Sequence, residues 1–152
     1  MDISLLEPLL GPLLLFARQR DAASAEDVVQ DAVLRLVRSG EKPQNLAAWL
    51  FTAVRNEAIS RHRKKKRFDK HVERYAETII PWFEPDNDSR LDGRQIAAEL
   101  ERLPQEQREI IVAHLWGGLS FEEIGPMVGL SRSTAHRRYV EGIETLRKKV
   151  NP

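Results

Sequence analysis

Residues 119–139 read LSFEEIGPMVGLSRSTAHRRY, and this stretch decides the fold. Ser120 followed by Glu123 is a capping box. The serine oxygen accepts the third backbone N–H of a helix, and the glutamate reaches back to the serine's own N–H. Leu119 and Ile124 stand where the apolar staple of such a start belongs. Gly129 is placed to take the left-handed conformation that ends a helix, and Ser131 then caps another. In this last helix, RSTAHRRYVEGIETLRKKV, Ala135, Tyr139, Gly142 and Leu146 fall on one side. Arg132, Ser133, His136 and Arg137 fall on the other, near its N-terminal end. A short helix, a glycine turn and a longer helix with polar first turns make a helix-turn-helix pattern. Its second helix enters the major groove N-terminal end first, where arginine bridges guanine edges and Ser or Thr holds phosphates. An ordinary helical hairpin with solvated arginines fits the same letters, so this stretch alone leaves DNA binding open. Pro126 cannot donate to the Glu122 carbonyl and its ring crowds that carbonyl. A short first helix, kinked or ended at Pro126, is expected.

Upstream, LDGRQIAAELERL stacks Ile96, Leu100 and Leu103 at helical spacing, and Pro104 opens PQEQREIIVAHLW, stopped by Gly117 and Gly118. Before them, residues 68–90 lose the period. IIPWFEPDNDS carries two prolines and a polar cluster and reads as a linker, with some helix in DKHVERYAE.

The N-terminal part is helical again. A first helix is expected from Pro12 to Arg20, followed by AEDVVQDAVLRLVR capped by Ser24 and burying Val29, Val33, Leu36 and Val37. After the turn SGEKPQN, Asn45 caps LAAWLFTAVRNEAISRHRKKKR, whose Leu46, Leu50, Val54 and Ala58 share a face. The basic end RHRKKKR suits the negative end of the helix dipole and by itself reads as a solvated face. Beside the buried stripe, however, Trp49, Asn56, Ser60 and Arg63 project as one strip. An aromatic plane, an amide, a hydroxyl and a guanidinium suit unpaired bases and their phosphates, although a ring there reads first as a core aromatic. On the preceding helix Asp27, Gln30 and Asp31 form a polar patch. Compensation of the helix dipole accounts for Asp27 but poorly for Gln30 and Asp31, which lie past the first turn; a protein partner is the sharper reading.

The 152 residues include 24 Lys or Arg and 23 Asp or Glu, but unevenly placed. Residues 1–67 carry 12 basic and 8 acidic, 69–101 carry 4 and 9, and 102–152 carry 8 and 6, so two mildly basic ends flank an acidic middle. The absence of cysteine removes disulfides and thiolate metal sites and suits a reducing compartment. The apolar start carries Glu7 and is broken by Pro8 and Pro12, which argues against a signal peptide or membrane span. His62, His71, His114 and His136 form no metal-binding spacing, and neither a phosphate-binding glycine loop nor a nucleophile elbow occurs. No enzyme, cofactor or metal is expected. The fold expected is all-α, with two small helical domains over 1–67 and 91–152 joined by the linker 68–90.

AEDVVQDAVLRLVR and NLAAWLFTAVRNEAISRHRKKKR resemble region 2 of a bacterial RNA polymerase sigma factor. LERLPQEQREIIVAHLWGGLSFEEIGPMVGLSRSTAHRRYVEGIETLRKK is similar to region 4. Two such modules with a short linker resemble the extracytoplasmic-function (ECF) subfamily. The resemblance implies a region 2 bundle and a region 4 helix-turn-helix in a factor that binds core RNA polymerase and directs promoter recognition, melting and initiation. It implies docking of Asp27, Gln30 and Asp31 on the β′ coiled coil, with the β flap as an expected second contact. It implies −10 element binding by Trp49, Asn56, Ser60, Arg61, Arg63, Lys64 and Lys65, with Asn56 lining the pocket for a flipped base. It implies −35 binding by Arg132, Ser133, Thr134, His136, Arg137 and Arg138. It admits an anti-sigma factor as a further partner and implies a cytoplasmic location at the nucleoid. Pro126 departs from the usual pattern, so the docking angle of the recognition helix does not carry over; His136, Arg137 and Glu141 also depart from it, so neither does the −35 sequence. A polymerase-independent helix-turn-helix regulator, binding duplex operators by itself, is the alternative function.

Overall fold

The computed structural model describes residues 3–68 and 98–150, with side chains described except at 3, 65–68 and 149–150. The expected linker over 69–90, its DKHVERYAE helix, residues 91–97 with Ile96, and the Lys65 side chain lie outside the described residues. Every regular element among the described residues is helical, and the chain separates into two units, Met1–Ile79 and Ile80–Pro152.

In the first unit a 3-10 turn, Ile3–Leu5, precedes α1 (Glu7–Arg18). The start expected at Pro12 is corrected: Pro8 occupies the first turn, where a missing N–H costs nothing, and Pro12 lies inside the helix. Pro12 forfeits one bond near the N-terminal end, while Leu13, Leu15, Phe16 and Ala17 are buried and hold the helix in place. α2 (Ala25–Ser39) begins after Ser24, but the serine makes no side-chain cap bond. Its hydroxyl donates instead to Asp21 Oδ2 at 3.2 Å, while Asp21 Oδ1 accepts the Ala23 N–H at 3.1 Å. The aspartate turn engages the serine hydroxyl in place of the cap.

The buried stripe of α2 is also corrected. Ala25, Val28, Val29, Ala32 and Leu36 are buried, Val33 is half-buried, and Val37 is 55% exposed. The alanines let a neighbouring helix approach along their own line, so the stripe follows the small residues as well as the large ones. α3 (Leu46–Phe68) starts where expected: Asn45 Oδ1 accepts the Ala48 N–H at 3.0 Å. Leu50, Val54 and Ala58 are buried, joined by Phe51 and Ala53. α1, α2 and α3 pack on one another in pairs, and Phe16 of α1 meets Phe51 of α3 edge-on, centroids 4.9 Å apart. Such a pair adds about 0.5–1.5 kcal/mol to the burial of both rings.

In the second unit, helical residues 98–100 precede a turn, with Leu100 and Leu103 buried. Pro104 caps α4 (Gln105–Ile111), which continues as a wider π-helical turn, Val112–Trp116. Gly117 donates to the Val112 carbonyl at 3.0 Å, and Gly118 turns the chain with φ 73°. The glycine stop is as expected; the π widening is not written in the letters. α5 (Phe121–Val128) and α6 (Arg132–Val150) follow. The capping box is complete: Ser120 N–H donates to Glu123 Oε1 at 2.9 Å, and Glu123 N–H to Ser120 Oγ at 3.2 Å. Leu119 and Ile124 are both buried.

α5 is short, as expected, but it does not end at Pro126. The helix runs through that residue to Val128 and ends at Gly129, with φ 78°. Pro126 is exposed, so its ring points to solvent and only the Glu122 carbonyl loses a partner. Leu130 N–H then donates to the Gly125 carbonyl at 2.8 Å, closing a Schellman turn. Ser131 Oγ accepts the Thr134 N–H at 3.1 Å and starts α6. Ala135, Gly142 and Leu146 are buried along the side that packs on α4 and α5.

Candidate nucleic-acid interface

Along α3, Asn56, Arg63 and Lys64 are exposed and Ser60 is half-buried; Asn56, Ser60 and Arg63 lie away from the Leu50–Val54–Ala58 line. Trp49 is half-buried, neither a core ring nor a free platform: its Nε1–H donates to Glu41 Oε1 at 3.0 Å. That bond ties the SGEKPQN turn to the start of α3.

Arg61 stands apart from this strip. It comes five residues after Asn56, roughly 140° further round the helix, in line with the buried residues. Its guanidinium crosses to α2 and hydrogen-bonds Asp31. Its Nε donates to Glu57 Oε2 at 3.1 Å, and Nη1 lies 3.9 Å from Asp27 Oδ2. Arg35 reaches the same Glu57 at 3.4 Å. Burial by itself lowers the Arg61 pKa, but the hydrogen bonds of Asp31 and Glu57 outweigh it and raise it, so the charge is permanent. Sequence reading grouped Arg61 with the phosphate ligands; the structure spends its donors on carboxylates. On α2, Asp27 and Gln30 are exposed and Asp31 half-buried.

At the start of α6, Arg132, Ser133, His136 and Arg137 are exposed together. Thr134 turns inward, with Oγ1 accepting from Ser131 Oγ at 2.9 Å. Arg138 does not join them. Its Nε donates to Glu106 Oε1 of α4 at 2.9 Å, and Nη1 lies 3.9 Å from Glu141.

Behind this end lies an aromatic brace that the sequence did not reveal. His114 stacks on Phe121 with centroids 4.4 Å apart, and Tyr139 meets both edge-on at 4.8 and 5.3 Å. His136 meets Phe121 edge-on at 5.0 Å. His114 Nδ1 lies 2.8 Å from the Leu119 carbonyl, which can only accept, so Nδ1 carries the proton. The brace links the π turn, α5 and α6 and fixes the end that presents the polar residues. Burial raises the Tyr139 phenol above its ordinary value of 10.0, against a lowering pull from Arg147. The unfolded chain therefore ionises first: the stability is complete below that ordinary value and is lost as pH rises through the folded one. Tyr139→Phe should flatten the alkaline fall of the thermal midpoint above pH 10; an unchanged fall would place its cause elsewhere.

No group of three or more His, Cys, Asp or Glu among the described residues could hold a metal, and no described helix is long and apolar enough to cross a membrane.

Two family matches cover both units: sigma-70 region 2 over residues 9–68, and sigma-70 region 4 over residues 100–148. The chain belongs to the sigma-70 family. Relatives of this sigma factor include the ECF RNA polymerase sigma factor EcfG of Rhodopseudomonas palustris, 33% identical over 78% of this chain and 66% of that protein. The RNA polymerase sigma factor CarQ of Myxococcus xanthus is 34% identical over 85% of this chain and 76% of its own. Among solved structures, the sigma factor RpoE from Bartonella quintana, crystallised with the anti-sigma factor NepR, matches with a TM-score of 0.74 and 29% identity. That match covers 98% of this chain and 97% of the other. These relatives place the sigma factor in the ECF branch. Each exposed polar set described above falls within a family match: α2 and α3 in region 2, and the start of α6 in region 4.

Proposed function

We propose that this ECF sigma factor binds core RNA polymerase and directs it to promoters, where it assists melting and initiation. One observation carries the reading: region 2 and region 4 follow one another in a single chain, each with an exposed polar helix surface. Residues 1–67 form the docking and −10 module, 68–90 the linker, and 91–152 the −35 module. Asp27, Gln30 and Asp31 dock on the β′ coiled coil, and the second module meets the β flap. Trp49, Asn56, Ser60, Arg63, Lys64 and Lys65 hold the separated −10 strand. Arg132, Ser133, His136 and Arg137 face the −35 duplex, with Thr134 supporting the cap. Arg61 and Arg138 leave the DNA-contact set because their guanidiniums are taken up within the protein. The factor performs no bond-making itself; it acts in the cytoplasm, at the nucleoid. An anti-sigma factor is a further partner, a reading supported by the likeness to a sigma factor crystallised with one.

Physically, melting loses stacking, and an extruded base held at Asn56 offsets part of that loss. The basic end of α3 adds sequence-independent affinity that falls with salt. Run-off transcription with core polymerase on a genomic promoter pool tests the whole reading. Discrete transcripts should appear only with this protein added. Tight duplex binding without polymerase, and no transcripts, would instead establish the regulator. Asn56→Ala should lower affinity for a −10 single strand on the order of tenfold, since one lost base contact is worth about 1–3 kcal/mol. Duplex −35 binding should stay within error; equal losses on both would remove Asn56 from the pocket.

A further inference from the structure

We infer that Arg61 is a positioning residue of the docking face: from α3 it holds the Asp31 and Asp27 carboxylates of α2 in place for a cationic partner. The inference rests on the polymerase reading of α2.

Three observations support it. Arg61 continues the line of Leu50, Val54 and Ala58, so its side chain leaves α3 toward α2 rather than toward the Asn56 strip. Its planar fork bonds Asp31 and Glu57 from separate nitrogens, which fixes direction as well as charge. The carboxylates it holds are not consumed: the Asp27 side chain is 68% exposed and that of Asp31 46%. Their outward oxygens remain open to a partner. Around Arg61, three carboxylates (Asp27, Asp31 and Glu57) meet two guanidiniums, Arg61 and Arg35, and a net negative charge is left facing out. A basic partner surface therefore meets aspartates already fixed in direction, and loses less side-chain freedom on binding than loose ones would cost.

The test is a core-polymerase titration of fluorescently labelled full-length protein: wild type, Arg61→Gln, Arg61→Lys, Asp31→Asn, and the Arg61→Gln/Asp31→Asn double variant. Arg61→Gln should weaken core binding by about tenfold at low salt, and less at high salt. Arg61→Lys should recover only part, because a point charge lacks the fork. The double variant should lose less than the sum of the two single losses, since part of the Arg61 effect runs through Asp31 and only the hold on Asp27 is left to lose. With core in excess, the assembled Arg61→Gln complex should bind promoter DNA with wild-type affinity and salt dependence.

A reduced salt slope on DNA with core affinity intact would overturn the inference and return Arg61 to the phosphates. Additive losses in the double variant would also overturn it. So would a loss of core binding that tracks the thermal midpoint in both Arg61 variants, which would make the role purely structural. If Asp31→Asn weakens core binding and the Arg61 variants do not, the inference falls and the polymerase reading stands. If the wild type ignores core polymerase, both fall together.

Discussion

An Asp31→Lys variant should remain folded and lose core polymerase. Asp31 lies on the proposed docking face with its side chain 46% exposed. Reversing its charge removes an attraction to a basic partner and adds a repulsion, and like charges brought together across an interface cost several kcal/mol. A loss of more than about a hundredfold in core affinity is expected, since 1.4 kcal/mol is tenfold. The fold should lose on the order of 1 kcal/mol, because the broken pair with Arg61 is partly solvated and Glu57 still holds the guanidinium. A titration against core polymerase, with a thermal melt of the free protein, reads both quantities. The charge-swapped pair Asp31→Lys/Arg61→Glu sharpens the result. It rebuilds an ion pair between α2 and α3 but sets a carboxylate beside Glu57, and so should recover part of the melt and none of the binding. Full binding by either variant would move the docking face off α2.

What the sequence made legible was local. Asn45, Ser120 with Glu123, Gly129 and Ser131 each act on a backbone group within four residues, and each does in the structure what its spacing indicates. Competition among such signals was harder to read. Ser24 stands at a cap position, yet Asp21 claims its hydroxyl. Pro12 looks like a start, yet Pro8 serves and Pro12 is carried within the helix. The α2 stripe runs through small residues as well as large ones, and Ala25 and Ala32 are as buried as Val28. Pairings made in three dimensions were out of reach. Arg61 and Asp31 are 30 residues apart, and Arg138 and Glu106 are 32 apart. A basic residue in a basic run looks like its neighbours until a helix from elsewhere brings it a carboxylate. Both arginines stand in the expected DNA-contact set beside basic neighbours, and the structure pairs both with carboxylates. The Glu57–Arg61 spacing of four and the Arg138–Glu141 spacing of three were local hints, and such spacings are common on any helix.

Gly125→Ala should break the helix-turn-helix while leaving the first unit intact. A Cβ built on Gly125 would lie 2.7 Å from the Leu130 carbonyl oxygen and 3.4 Å from the Arg132 nitrogen. Both are backbone atoms of the turn, so no side chain can rotate out of the way. Relief requires Leu130 to move, and Leu130 is also the donor of the 2.8 Å bond to the Gly125 carbonyl that closes the turn. Overpacking of this kind costs about 1–3 kcal/mol, and the lost bond about 1 more. Alanine's better helix propensity returns roughly 1 kcal/mol. The net loss is on the order of 2 kcal/mol, concentrated where α5 hands over to α6. The angle between these helices sets how Arg132, Ser133, His136 and Arg137 are presented, so duplex −35 binding should fall further than stability does. Single-stranded −10 binding by the other unit should not change. Gly129→Ala is the control. Gly129 needs its left-handed φ of 78°, but nothing lies within 4 Å of an added Cβ. It should lose only the roughly 1 kcal/mol of left-handed strain, with the turn geometry kept. Melts and duplex titrations of the two variants should rank Gly125→Ala well below Gly129→Ala. The reverse order would mean that the turn is held by its dihedral angle, not by the close approach of Gly125 to Leu130.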